Sequence, residues 1–292
     1  MQSWMVSCLL LFVTTISHAT ILPKNNLHLQ DNINAAANMT EQQFNDIIDA
    51  VGAHWAPLAA KHGATLVMNR SWTDSTVNAY AQQDGTQWIV QMFGGLARRP
   101  EVNFEGFALV VCHELGHHFA GFAFKGERWA ASEGQSDYFA TQVCGKMIWD
   151  APIFGTLNPS TLDPHAKAKC DSTYTAMNDR KNCYRNILGG HSLASLLAAL
   201  GRAPAPKFET PDATAVTRTN TAHPAAQCRL DTYFQGALCN TRFDITLIPG
   251  KTHPRGQESV EAEMISNEYS CNLAKGHTVG NRPACWYKGL VQ

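Results

Sequence analysis

The stretch Val110–Phe122, VVCHELGHHFAGF, restricts the possible folds more than any other part of the chain. It is apolar enough to be a core helix, yet it carries three histidines and a glutamate on adjacent turns. Such side chains are rarely buried without partners. Whatever packs on this helix must therefore bring complementary polar groups, and the fold must be built around that meeting. Gly116 sits mid-helix, where glycine costs about 1 kcal/mol relative to alanine. A glycine kept at that cost points to a close backbone approach.

His113 and His117 are spaced so that both imidazoles face one side of a helix, one turn apart. At that spacing two neutral imidazoles can share one tetrahedral cation. Glu114 lies one position along, where it can reach a metal-bound water without being a ligand. His118 fits no ligand position and reads as structural. Catalytic zinc takes three protein ligands and one open position. The metzincin pattern would need Gly at Ala120 and His at Ala123, so the third ligand lies elsewhere. SEGQSDYFAT supplies the candidates. Glu133 opens the next helix and Asp137 lies one turn on along the same face; one carboxylate can bind the metal, and the other can accept the free ring N–H of a ligand histidine.

The rest of the chain is consistent with an α+β domain. Thr40 followed by Gln43 is a capping signal for a helix running to about Leu58, with Gly63 as its stop. Ala64–Met68 reads as a short strand. TVNAYAQQDGTQWIVQMF reads as a hairpin turning at Asp84-Gly85. Asn103–Gly121 is the histidine helix, and Ser132-x-x-Gln135 reads as a capping box opening a second helix to about Trp149. Further helix is expected from His165 to Leu200, with a Pro-rich loop after it. Thr20–Met39 reads as a loose lead-in, and the chain after Cys239 as irregular.

At the amino end, an apolar run from Val6 to Ile16 leads to Ser17-His18-Ala19, a small-x-small cleavage pattern. Residues 1–19 are therefore expected to be a secretory signal. Residues 20–292 are expected to form a single domain, with 240–292 as a cysteine-containing extension. Setting Cys8 aside leaves eight cysteines, an even number suited to disulfides in an exported, periplasmic or secreted protein. Their pairing is not readable from one sequence. The net charge of −1 gives no basic surface for nucleic acid. No later segment has the ~18 apolar residues of a membrane span.

HELGHH followed by E-x-x-x-D resembles the gluzincin metallopeptidases, and within them the HtpX and CAAX-prenyl-protease group. VNAYAQQDGTQWIV is similar to that family's hairpin upstream of the zinc helix. TAHPAAQCRL is similar to its downstream His-Pro motif with an Arg six residues on. The resemblance covers roughly Thr40–Val143 with a patch near His223, and lacks the family's membrane helices. It implies a zincin-like domain, with a small edge hairpin over an active-site helix and a second ligand helix. It also implies one Zn²⁺ per chain on His113, His117 and Glu133, with Asp137 behind them. Glu114 is the implied general base, and His223 and Arg229 are implied to stabilise an oxyanion. Asn78 and Ala79 are implied to hold extended substrate by strand addition. A second His-Pro pair, His253-Pro254, keeps a preceding Thr but lacks the Arg. The expected activity is a zinc endopeptidase acting on protein or peptide substrates. The alternative is an exported non-catalytic zinc-binding chaperone or envelope-assembly factor on the same scaffold. A loop carrying His253 could also plug the metal.

Overall fold

The computed structural model describes residues 18–30, 39–125, 129–252 and 259–289. Most of the proposed leader and His253 thus lie outside the described residues. Among those described, the architecture is α+β, a four-stranded sheet against a helical body.

A two-residue strand, β1 (Ala19–Thr20), begins the described chain. Helix α1 (Glu41–Lys61) starts at Thr40, whose capping box with Gln43 is complete, and ends before Gly63 with φ of 72°. Phe44, Ile47, Ile48, Val51, Trp55 and Leu58 recur at helical spacing and all lie in the core. Strands β2 (Thr65–Ser71), β3 (Ala79–Asp84) and β4 (Gln87–Phe93) follow. β3 and β4 form the expected antiparallel hairpin, turning at Gly85 with φ of 55°. β2 runs parallel to β4, and β1 adds antiparallel to the far edge of β3, giving the order β1-β3-β4-β2.

After the short α2 (Gly94–Ala97) comes α3 (Phe104–Phe119), the histidine helix, capped by the Asn103 side chain on the Gly106 N–H. Its residues Gly106–Phe119 are all buried. α4 (Glu133–Phe139) is capped by Ser132 and continues through a π-helical turn, Ala140–Cys144, into α5 (Gly145–Ile148). Gln135 does not close a capping box; its amide instead donates to Ala120 O.

The helix expected over His165–Leu200 is interrupted at Tyr174–Ala176. The structure has α6 (Pro164–Thr173) and α7 (Met177–Gly201) there. Gly189 and Gly190 let α7 approach α3 on one side and α8 (Ala226–Leu238) on the other. The tail, expected to be irregular, contains a helix, α9 (Val260–Glu268). The lead-in also departs from expectation. Ala19, Ile21 and Leu22 are 1% exposed, and Ile21 and Leu22 belong to the main core.

Among the described residues four disulfides form: Cys112–Cys144, Cys170–Cys183, Cys228–Cys285 and Cys239–Cys271. The first ties α3 to the end of the π turn, and the second ties α6 to α7. The last two tie the tail to α8 and its end. No helix among the described residues is long and apolar enough to cross a membrane.

Candidate metal centre

The close approach expected at Gly116 is present, and it assembles the site. A Cβ there would lie 2.9 Å from Ser136 Cα and 3.1 Å from the Ser136 carbonyl oxygen. Only glycine lets the backbones of α3 and α4 meet this closely. The contact sets the first turn of α4, with Glu133 and Asp137, beside the imidazoles of α3.

His113 and His117 each have one nitrogen committed. His113 Nδ1 donates to Asp137 Oδ1 at 2.7 Å, and His117 Nδ1 donates to Ala131 O at 2.8 Å. These bonds occupy Nδ1 of each ring and leave both Nε2 atoms facing inward. Glu133 is oriented in the same way, with Lys125 Nζ donating to its Oε1 at 2.5 Å and Oε2 left facing the histidines. Glu133 Oε2 lies 3.2 Å from His113 Nε2 and 3.8 Å from His117 Nε2. The three donor atoms lie within 4.8 Å of one another.

His113 Nε2, His117 Nε2, Glu133 Oε2 and Glu114 Oε2 are all buried without a hydrogen-bond partner. Buried polar atoms without partners are rare and costly. Four of them converging on one point suit a cation and a water bound to it. The buried group His113, His117 and Glu133 could therefore hold a metal ion. Asp212, Cys228 and Cys285 form a similar grouping, but its two sulfurs are joined to each other in a disulfide.

The electrostatics agree. Burial acts to lower the His113 pKa, but the Asp137, Glu133 and Glu114 carboxylates outweigh it and hold it up to about 9. Burial lowers His117 well below the usual range, keeping that imidazole neutral despite Glu133. Burial acts to raise Glu133, but the charged His113 beside it holds it well below the carboxylate range. Burial, reinforced by the Glu133 charge, pushes Glu114 up to about 8. The pocket favours positive charge at its centre and leaves Glu114 as a carboxyl that can take and release a proton near neutrality.

Behind His113 the Asp137 carboxylate is clamped by Arg229, with Nε to Oδ2 at 2.5 Å and Nη2 to Oδ1 at 2.6 Å. Asp137, Arg229 and Tyr233, which accepts from Arg229 at 3.1 Å, are fully buried. Arg229 Nη1 also donates to Ile21 O at 2.6 Å. His223 is half-buried at the site's mouth. Its Nε2 lies 3.5 Å from Glu133 Oε2 and 2.7 Å from Thr20 O. Asn78 and Ala79, at the start of β3, lie against the same segment. Asn78 Oδ1 accepts from the Leu22 N–H at 3.2 Å, and Ala79 O from the Ile21 N–H at 3.4 Å.

All nine residues singled out in the sequence thus line one region. His118 points away from it. Its Nε2 donates to Ile89 O, its Nδ1 accepts from Gln83, and its ring stacks between Trp88 and Trp129. Sequence reasoning missed Lys125, Tyr233 and the segment Ala19–Leu22. For that last segment ATIL is too short to carry a periodic signal.

No family model matches the chain, and no curated protein and no solved structure is significantly similar to it.

Proposed function

We propose that the protein is a zinc-dependent peptidase with a zincin-like catalytic domain, working outside the reducing cytosol on extended polypeptide. What carries this reading is the convergence of the four unpartnered buried atoms of His113, His117, Glu133 and Glu114. Two imidazoles and a carboxylate, with their other polar atoms already bonded, are the donor set of a catalytic zinc site, His113 giving up its extra proton when the metal binds. The fourth atom distinguishes catalysis from mere metal storage. A structural site needs ligands, whereas Glu114 places a proton-accepting carboxylate beside them. The His113–Asp137–Arg229 chain supports the same ligand geometry.

When bound, zinc supplies an acidified water and polarises a carbonyl. The chain's own residues do the rest. Glu114 takes a proton from the water and delivers it to the leaving nitrogen. His223 donates to the carbonyl oxygen as negative charge develops on it. Arg229 holds Asp137 and a substrate carbonyl one residue further on, so its role is positioning. Asn78 and Ala79 hold substrate main chain beside β3. The four disulfides suit an oxidising, exported setting.

The test is metal analysis together with peptide-library profiling of purified protein. One zinc per chain and cleavage of extended peptides are expected, and Glu133→Ala loses both. Zinc retained in full by Glu133→Ala, with Asp137→Ala losing it, would reverse the two carboxylates' roles. A zinc-loaded protein that cuts nothing would favour the non-catalytic zinc-binding alternative.

A further inference from the structure

We propose that the first bond this site cuts is one of its own chain's, the Thr20–Ile21 peptide bond; this rests on the peptidase reading above. Ala19 and Thr20 pair antiparallel with Ala81 and Tyr80 on the free edge of β3, as an added substrate strand would. The two sides of one peptide bond then meet the two groups that hydrolysis requires. The Thr20 carbonyl oxygen accepts from His223 Nε2 at 2.7 Å. The Ile21 N–H donates to Glu114 Oε1 at 3.0 Å. The carbonyl faces the oxyanion donor and the leaving nitrogen faces the base, in the chain direction that cleavage needs. A segment that merely filled space would have no reason to offer these two groups in this order.

The next residues are held just as specifically. Arg229 donates to Ile21 O at 2.6 Å. Asn78 brackets Leu22, accepting from its N–H at 3.2 Å and donating to its carbonyl at 3.4 Å. The side chains of Ala19, Ile21 and Leu22 are each 1% exposed, so the pockets on both sides of the bond are filled. The substrate class follows from the occupant. It is an extended segment with small residues before the bond and two branched aliphatic residues after it.

In the reaction, the water oxygen joins the Thr20 carbonyl carbon and the bond to the Ile21 nitrogen breaks. Glu114 carries one water proton to that nitrogen. The second follows as the new Thr20 carboxylic acid ionises, leaving a carboxylate and an ammonium. The cut lies one residue beyond the Ala19 leader end expected from sequence, so the two origins of a mature terminus are distinguishable by mass.

The experiment is cell-free synthesis of the full chain, with zinc and an oxidising glutathione pair but no leader peptidase, followed by intact-mass measurement. Wild type should appear as a chain beginning at Ile21, and Glu114→Gln should stay whole or convert ~10²–10⁴-fold more slowly. The glutamine amide in that variant keeps an oxygen for the Ile21 N–H, so its Ile21 and Leu22 amides should be protected from hydrogen exchange. Wild type that cleaves library peptides yet keeps its Thr20–Ile21 bond overturns the proposal. Unprotected amides at Ile21 and Leu22 in Glu114→Gln overturn it as well. A zinc-loaded wild type that cuts neither itself nor the library overturns the peptidase reading beneath it.

Discussion

Among single residues, His223 and Arg229 carry different burdens although the sequence motif pairs them. Arg229 is 0% exposed and neutralises a buried Asp137, while His223 is half-buried and touches only the mouth of the site. Removing one partner of a buried ion pair strands the other, at about 3–5 kcal/mol. Arg229→Ala is therefore expected to lower the urea midpoint and the zinc content together. His223→Ala should leave both in place and reduce kcat by ~10²–10³ with little change in KM. Equal kcat losses at full stability in both variants would restore a shared oxyanion role. His118 gives a pH prediction. Burial pushes its pKa down to about 3, against about 6.5 in an unfolded chain. The folded state thus favours the neutral ring. Its stabilisation is complete above pH 6.5 and drains as pH falls from there towards 3, by at most about 5 kcal/mol. Urea midpoints across that window should fall less steeply in His118→Phe than in wild type. Identical slopes would mean that the ring does not titrate as described.

At the level of elements, the α3–α4 contact through Gly116 sets the geometry of the site. Gly116→Val would drive methyl groups into the Ser136 backbone. About 1–3 kcal/mol of lost stability is expected from the overpacking, together with weaker zinc binding as Glu133 moves off the histidines. A variant with wild-type zinc affinity, measured against a competing chelator, would show that the approach is not needed. Much of this level was legible in the sequence. The capping residues Thr40, Asn103 and Ser132, the Asp84-Gly85 turn and the glycine in HELGHH are local signals, each decided by one or two side chains. The break between α6 and α7, the π turn at Ala140–Cys144 and helix α9 were not. There the local pattern is continuous or weak, and contacts distant in sequence decide. β1 was missed for the same reason. Two residues have no periodicity to read, and they form a strand only because they pair with the β3 edge and His223 donates to the Thr20 carbonyl.

For the whole molecule, the disulfides join parts that a small sheet and a helical body would otherwise hold by packing alone. The nine site residues come from α3, α4, α8, the start of β3 and the loop before α8. Cys112–Cys144 links α3 to the π turn that continues α4, and Cys228–Cys285 links α8 to the tail. The existence of bridges was readable from the even cysteine count, but the pairing was not, since it depends on which helices meet. Thiol titration of the unfolded, unreduced protein should find none of the eight reactive. Eight free thiols would place the chain in a reducing compartment. The central claim, that this buried cluster is a peptidase centre, is tested most directly by Glu114→Gln, which preserves shape but cannot carry the proton. With zinc content equal to wild type, peptide-library cleavage should fall by ~10²–10⁴-fold. Wild-type cleavage by that variant at full zinc would contradict it.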